Sequence, residues 1–113
     1  MFANNIKALK INEIASGQFG YFTALQASEA GYSFTNLPYI ANKEGWEKVD
    51  RGLYRLSGFP DSFMAKCYRW FLWSRNRESK PLAIISHFSA LRCLDFISDD
   101  PFQVDLTVPA DFR

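Results

Sequence analysis

Residues 31–33, Gly-Tyr-Ser, constrain the fold of this chain more than any other stretch. They separate two short segments that both read as helices. Upstream, Thr23 is a good amino-cap for a helix over 24–30, which offers Leu25 and Ala27 for packing. Gly31 ends it where a left-handed residue costs little. Downstream, Ser33 caps a helix running to about Lys43, and Gly45 closes it. Two short helices joined by a tight glycine-containing turn make a helix-turn-helix. Ahead of them residues 6–16 read as a helix, capped by Asn5 and carrying a stripe of Ile6, Leu9 and Ile14. Gly17-Gln18-Phe19-Gly20 breaks it. After them come two extended runs, 46–49 and 53–56, with Asp50-Arg51-Gly52 supplying hairpin-turn chemistry between them. Three helices and then a hairpin is the order of a winged helix-turn-helix.

Gly58, Phe59 and Pro60 mark a boundary, which predicts a winged-helix domain over 1–58 and a small extension over 59–113. In the extension a helix is predicted over 62–75, with Phe63, Tyr68, Phe71 and Leu72 broadly on one side. Residues 82–85 read as a buried strand. Ser86 caps a helix over 88–94, and 103–108 alternate polar and apolar as a strand does. The expected class is therefore α+β: a winged helix-turn-helix of three helices and a β-hairpin wing, followed by a small α/β segment.

A chain of 113 residues has room for one domain, or for a small domain and part of a second. At 48% hydrophobic it can bury a core, and eleven Phe, five Tyr and three Trp are more rings than one small core needs, so some are expected at a covered surface. The net charge of +1 is not the global signature of a nucleic-acid binder, but the charges separate along the chain. Lys66, Arg69, Arg75, Arg77 and Lys80 cluster against Glu78. Over residues 95–113, Asp95, Asp99, Asp100, Asp105 and Asp111 stand against Arg113 alone. A basic stripe before an acidic tail fits a polyanion bound along one face, and equally an ordinary solvated helix face. Cys67 and Cys93 are far apart in sequence, with no CxxC and one His in the chain, so no zinc site can be built from them. They read as buried free thiols of a reducing cytosol. No signal peptide is evident, since Asn4, Asn5 and Lys7 interrupt the first residues, and the apolar runs are too short to span a membrane. A cytoplasmic protein without cofactor is expected.

Several runs resemble the AbiEi family of antitoxins. They are Gly20-Tyr21-Phe22-Thr23 with Gln26-Ala27 and Ala30-Gly31-Tyr32-Ser33; the stretch from Gly45-Trp46 through Asp50-Arg51-Gly52-Leu53-Tyr54-Arg55-Leu56 with Phe59-Pro60; Ser86-His87-Phe88-Ser89-Ala90-Leu91; and Asp105-Leu106-Thr107-Val108-Pro109. They occur in order and span nearly the whole chain. The resemblance implies a type IV toxin–antitoxin system. Its amino-terminal winged helix binds inverted repeats upstream of its own operon and represses it, and a larger carboxy-terminal region neutralises a nucleotidyltransferase-like toxin. Family members are typically longer, so this chain is expected to be a fragment or a shortened relative that keeps repression. Pro38 departs from the family pattern within the recognition helix, as do Phe88 and Leu94 in the second region. A proline in a helix interior costs about 3 kcal/mol, so the helix is expected to begin late, with Asn36 as its cap and Pro38 in its first turn.

In a helix-turn-helix the second helix enters the major groove, and its early residues reach base edges. That makes Ser33, Thr35, Asn36 and Tyr39 candidate base contacts, with Asn42 and Lys43 nearer the backbone. Asn36 is the best reader, because its amide can pair in two places with adenine. Ser33 and Asn36 read equally as helix caps. Phe34, Leu37 and Ile40 have core spacing. On the wing, Lys48, Arg51 and Arg55 are candidate phosphate contacts, with Arg51 alternatively paired to Asp50, while Trp46 and Tyr54 anchor the wing. Double-stranded DNA with inverted repeats calls for two copies, a homodimer on the DNA.

His87 lies between Ser86 and Ser89, but helix neighbours point different ways and no carboxylate is placed to orient it, so an enzyme is not expected. The rival reading is a protein-interaction module, docking the toxin or another protein through the wing or through Tyr68, Trp70, Phe71 and Trp73.

Overall fold

The computed structural model describes residues 2–78 and 80–112, with residues 2–5 described by backbone alone. The chain divides into two compact units, Met1–Pro60 and Asp61–Arg113. Together they are of mixed α+β class, with small antiparallel sheets.

The first unit opens with α1 (Phe2–Ser16). The helix backbone starts well before Asn5, which therefore does not cap it; the Asn5 side chain lies outside the described residues. The inward stripe of α1 is Ile11 and Ala15, fully buried, with Ile14 packed beside them. The expected stripe is corrected: Ile6 and Leu9 are exposed. Leu9 and Ile11 stand two residues apart, which on a helix puts them on nearly opposite sides.

Strand β1 (Tyr21–Thr23) is absent from the sequence expectations. Three residues are too short to show a period, and its partner lies thirty residues on, at β3. Thr23 then caps α2 (Ala24–Glu29) with a full capping box. Its hydroxyl accepts from the Gln26 amide at 3.1 Å, and the Gln26 side chain accepts from the Thr23 amide at 3.0 Å. Ala27 is buried as expected, whereas Leu25 is exposed. Gly31 takes φ +111 after α2. The next helical stretch divides at the proline: a 3-10 turn (Phe34–Asn36) precedes α3 (Leu37–Glu44), which has Asn36 at its cap position and Pro38 in its first turn. Gly45, at φ +76, ends α3 in the left-handed conformation.

Strands β2 (Glu47–Asp50) and β3 (Leu53–Arg55) form the hairpin, with a register shift between Lys48 and Asp50. The sheet order is β1-β3-β2, all antiparallel, so β3 lies in the middle and is buried along its length. A bond from the Ala24 amide to the Gly52 carbonyl, 2.9 Å, ties the hairpin turn to the start of α2.

The core of this unit joins Ile11, Ala15, Phe22, Ala27, Ala30, Leu37, Ala41 and Tyr54. The Trp46 ring meets Phe22 edge-on at 4.9 Å and Tyr32 at 5.1 Å, and Phe22 stacks on Tyr54 at 5.8 Å. Trp46 and Tyr54 thus anchor the hairpin to the helices, as their sequence positions predict. Gly20, at φ +91, is packed so closely that a Cβ there would lie 2.7 Å from the Phe59 ring. That contact makes Phe59 part of the first unit.

The second unit begins with α4 (Phe63–Trp73), where the Ser62 hydroxyl accepts from the Ala65 amide at 3.0 Å. Phe63, Ala65, Cys67 and Leu72 are buried; Tyr68 and Phe71 are half-buried. The helix stops two residues short of the expected Arg75 because Ser74 is recruited into the core. Its hydroxyl donates to the Phe71 carbonyl at 2.6 Å and accepts from the Leu82 and Ala83 amides. The expected strands shrink to β4 (Ile84–Ile85) and β5 (Leu106–Thr107), which pair antiparallel. The prediction of a buried strand over 82–85 is corrected: Ile84 is exposed and Ala83 alone of the four is buried. Between them lies α5 (His87–Cys93). Ser86 occupies its cap position without making the cap bond. Ser89 instead fixes the helix, donating to the Gln103 carbonyl at 3.2 Å and accepting from the Asp105 amide at 2.8 Å.

Candidate nucleic-acid interface

Most of the candidate residues are exposed, on α3 and on the hairpin, and α3 packs beside β2. On α3, Leu37 and Ala41 point into the core at i, i+4 and Ile40 is half-buried beside them. The opposite side is exposed and carries Tyr39, Asn42 and Lys43, and Asn36, also exposed, stands at the cap position just before the helix. Tyr39 and Lys43 stand four residues apart on α3, so they line one stripe of its outer surface. Tyr39 leaves 69% of its surface in solvent, so it is not a core residue.

Ser33 and Thr35 precede this stripe, both exposed, with their hydroxyls 3.2 Å apart. Neither Ser33 nor Asn36 makes a side-chain cap bond, although each occupies a cap position. The capping alternative therefore does not occupy these side chains. Phe34 was expected in the core but is 59% exposed. Phe34 lies in the 3-10 turn ahead of α3, and the Asn36 backbone between it and Leu37 departs from helical dihedrals (φ -100, ψ 6), so helical spacing does not carry Phe34 to the inner side that Leu37 occupies.

The hairpin presents two of its three candidates. Lys48, on the edge strand, and Arg51, in the turn, are exposed. The Arg51 amide donates to the Asp50 carboxylate at 2.7 Å, forming the turn, and Gly52 takes φ +66. Arg55 is corrected. It is 8% exposed, in the central strand. Its Nε donates to the Phe19 carbonyl at 3.3 Å, Nη2 donates to the Pro60 carbonyl at 3.0 Å, and the guanidinium lies 4.7 Å from the Tyr21 ring centroid. Arg55 holds the loop before β1 and the end of the unit together, and it has no face to offer a phosphate. Its role was hidden because alternation along a strand cannot reveal that a strand is central and covered on both sides.

The exposed charge of α3 and the hairpin is mixed. Lys43, Lys48 and Arg51 alternate with the exposed Glu44, Glu47 and Asp50. Tyr32, packed against the core, has its phenol pushed up by burial and then by the nearby Glu44 carboxylate; the Lys7 ammonium sits 5.8 Å from its ring centroid.

In the second unit the expected basic stripe is not one helix face, since α4 ends at Trp73. Arg69 lies over the Trp70 ring at 5.1 Å, Arg75 donates to the Leu72 carbonyl at 2.9 Å, and Lys80 faces Glu78 at 3.8 Å. The acidic segment is partly neutralised internally: Arg92 reaches Asp100 at 2.8 Å and Asp95 at 3.2 Å, contacts that raise its own pKa. An open cleft of about 600 Å³ is lined by Trp73, Arg77, Leu82 and Phe112, and Glu78 and Asp111 balance its arginines. His87 is exposed at φ +53, at the first position of α5. Among the described residues no cluster of three or more His, Cys, Asp or Glu side chains could hold a metal ion, and no helix is long and apolar enough to cross a membrane. No protein-family model and no curated protein matches this sequence.

Proposed function

We propose that the first unit is a winged helix-turn-helix and that the chain is a sequence-specific, cytoplasmic DNA-binding repressor. Like the antitoxin of a type IV toxin–antitoxin operon, it would bind inverted repeats upstream of its own gene. One observation carries this reading. Exposed Asn36 at the cap of α3, with exposed Tyr39, Asn42 and Lys43 on it, stands next to a hairpin bearing Lys48 and Arg51, in a unit of order α1-β1-α2-α3-β2-β3. An amide at the start of a helix suits adenine in the major groove, and cations on a hairpin suit phosphates. Two copies would occupy an inverted repeat. Ser33 and Thr35 flank the base-reading stripe, and Arg55 serves the fold. A nucleotidyltransferase-like toxin is the proposed protein partner, and no catalytic role is assigned to His87.

A second reading has its own support. Phe88, Leu94 and Phe96 of the second unit each leave about two thirds or more of their surface in solvent, which suits docking of a protein. Fluorescence anisotropy on labelled DNA from upstream of the gene separates the two. A repressor binds that DNA in preference to scrambled competitor, with affinity that falls steeply with salt. Binding no better than to scrambled DNA at moderate salt refutes the repressor reading and favours the docking module.

A further inference from the structure

Of the three apolar residues with core spacing around the start of α3, Leu37 is buried, Ile40 is half-buried and Phe34 is exposed. Phe34 opens the 3-10 turn, whose backbone touches both α2 and α3, but its ring stands outside the core of the unit. The residues around it, Ser33, Thr35 and Asn36, are polar and exposed, and the Ser33 and Thr35 hydroxyls bond each other at 3.2 Å. Phe34 is thus a lone apolar ring in a polar turn. It comes two residues before Asn36, the side chain proposed to read adenine. Two residues span at most about 7 Å of backbone, which is about two base-pair steps.

We propose that Phe34 is a specificity-determining residue that reads the 5-methyl group of thymine in the major groove. The inference rests on the repressor reading above and adds a second base to it. A benzyl side chain has no donor and no acceptor, so it cannot read a base by hydrogen bonds. The thymine methyl is the one apolar group that base edges present in the major groove. Contact with it removes apolar surface of both partners from water, which is worth about fourfold in affinity for each methyl covered. The exposed Tyr39 on α3 differs, because its hydroxyl can bond a base or a phosphate. Asn36 and Phe34 together select A·T pairs close to one another in each half-site.

The test measures fluorescence anisotropy of the full chain on two labelled duplexes. One is the DNA from upstream of the gene. The other is the same duplex with every thymine replaced by deoxyuridine, which pairs alike and lacks only the methyl. The wild-type chain should bind the deoxyuridine duplex about fourfold more weakly for each thymine read. Phe34→Ala should bind both duplexes alike, as weakly as the wild type binds the deoxyuridine one, with a urea midpoint near that of the wild type. Wild-type binding that prefers both duplexes equally over scrambled DNA would overturn this inference and leave the repressor reading standing. Discrimination that persists in Phe34→Ala would overturn it too, placing the methyl contact on another side chain such as Thr35. So would a large fall in the urea midpoint of Phe34→Ala, which would make Phe34 a packing residue. Wild-type binding no better than to scrambled DNA would overturn the repressor reading itself, and this inference with it.

Discussion

Asn36 and Arg55 are both polar residues of the first unit, and both are candidate DNA contacts by sequence, yet the fold uses them oppositely. Asn36 is exposed and makes no cap bond, so Asn36→Ala should leave the urea midpoint nearly unchanged while weakening binding to the preferred DNA by about 1–3 kcal/mol. Arg55 donates from inside the unit to two carbonyls and covers Tyr21. Its replacement by Ala leaves buried acceptors without partners and should destabilise the unit by about 2–4 kcal/mol in urea titration, without changing the salt slope of binding by the folded protein. No sequence cue separates these cases, because burial of Arg55 comes from pairing with β1, a strand too short to be read. Cys67 gives a pH test. Its folded thiol sits at about 12 against an ordinary 9.0, so the folded state keeps a proton that the unfolded chain gives up. The corresponding stability is full below the ordinary value and lost as pH rises from 9.0 toward 12. The urea midpoint of the second unit should therefore fall between about pH 8 and about pH 10.5, and fall less in Cys67→Ala.

At the scale of elements, local chemistry was legible and distant pairing was not. The cap at Thr23, the glycines at Gly31 and Gly45, and the late start of α3 with Pro38 in its first turn all act within a few residues, and the structure has each of them. Thr23→Ala should cost about 1 kcal/mol, read from the urea midpoint, since it removes the hydroxyl half of the box. The stripe of α1 was misread because Leu9 and Ile14 are apolar without being covered together; the neighbours that choose Ile11 instead come from other elements. Leu37 shows what fixes α3. It is 2% exposed at the inner side of the helix, and Leu37→Ala should cost about 2–5 kcal/mol, because the cavity would lie under the candidate stripe. In the second unit, strands of two residues carry too little pattern for their ends to be found, and Ser74, which halts α4, acts by accepting from the Leu82 and Ala83 amides, side-chain bonds that hydrophobic periodicity does not record.

For the molecule as a whole, a net charge of +1 means that electrostatics must act locally if it acts on DNA at all. Lys43, Lys48 and Arg51 are the outward cations of the candidate face, and Glu44, Glu47 and Asp50 lie among them. If those three cations neutralise phosphates, log affinity should fall with log salt at a slope of about −2.7 per copy, and Arg51→Ala should reduce it by about 0.9 while weakening preferred and scrambled DNA alike. So sparse a charge pattern gives weak general affinity and leaves discrimination to the side chains at the start of α3. The most direct test of the repressor reading is selection of duplexes from a randomised pool by the purified chain. The account predicts enrichment of an inverted repeat whose half-sites lie about one helical turn, or a multiple of it, apart, and loss of that enrichment in Asn36→Ala. A pool that stays random through the rounds in which a known repressor enriches its own site would contradict it.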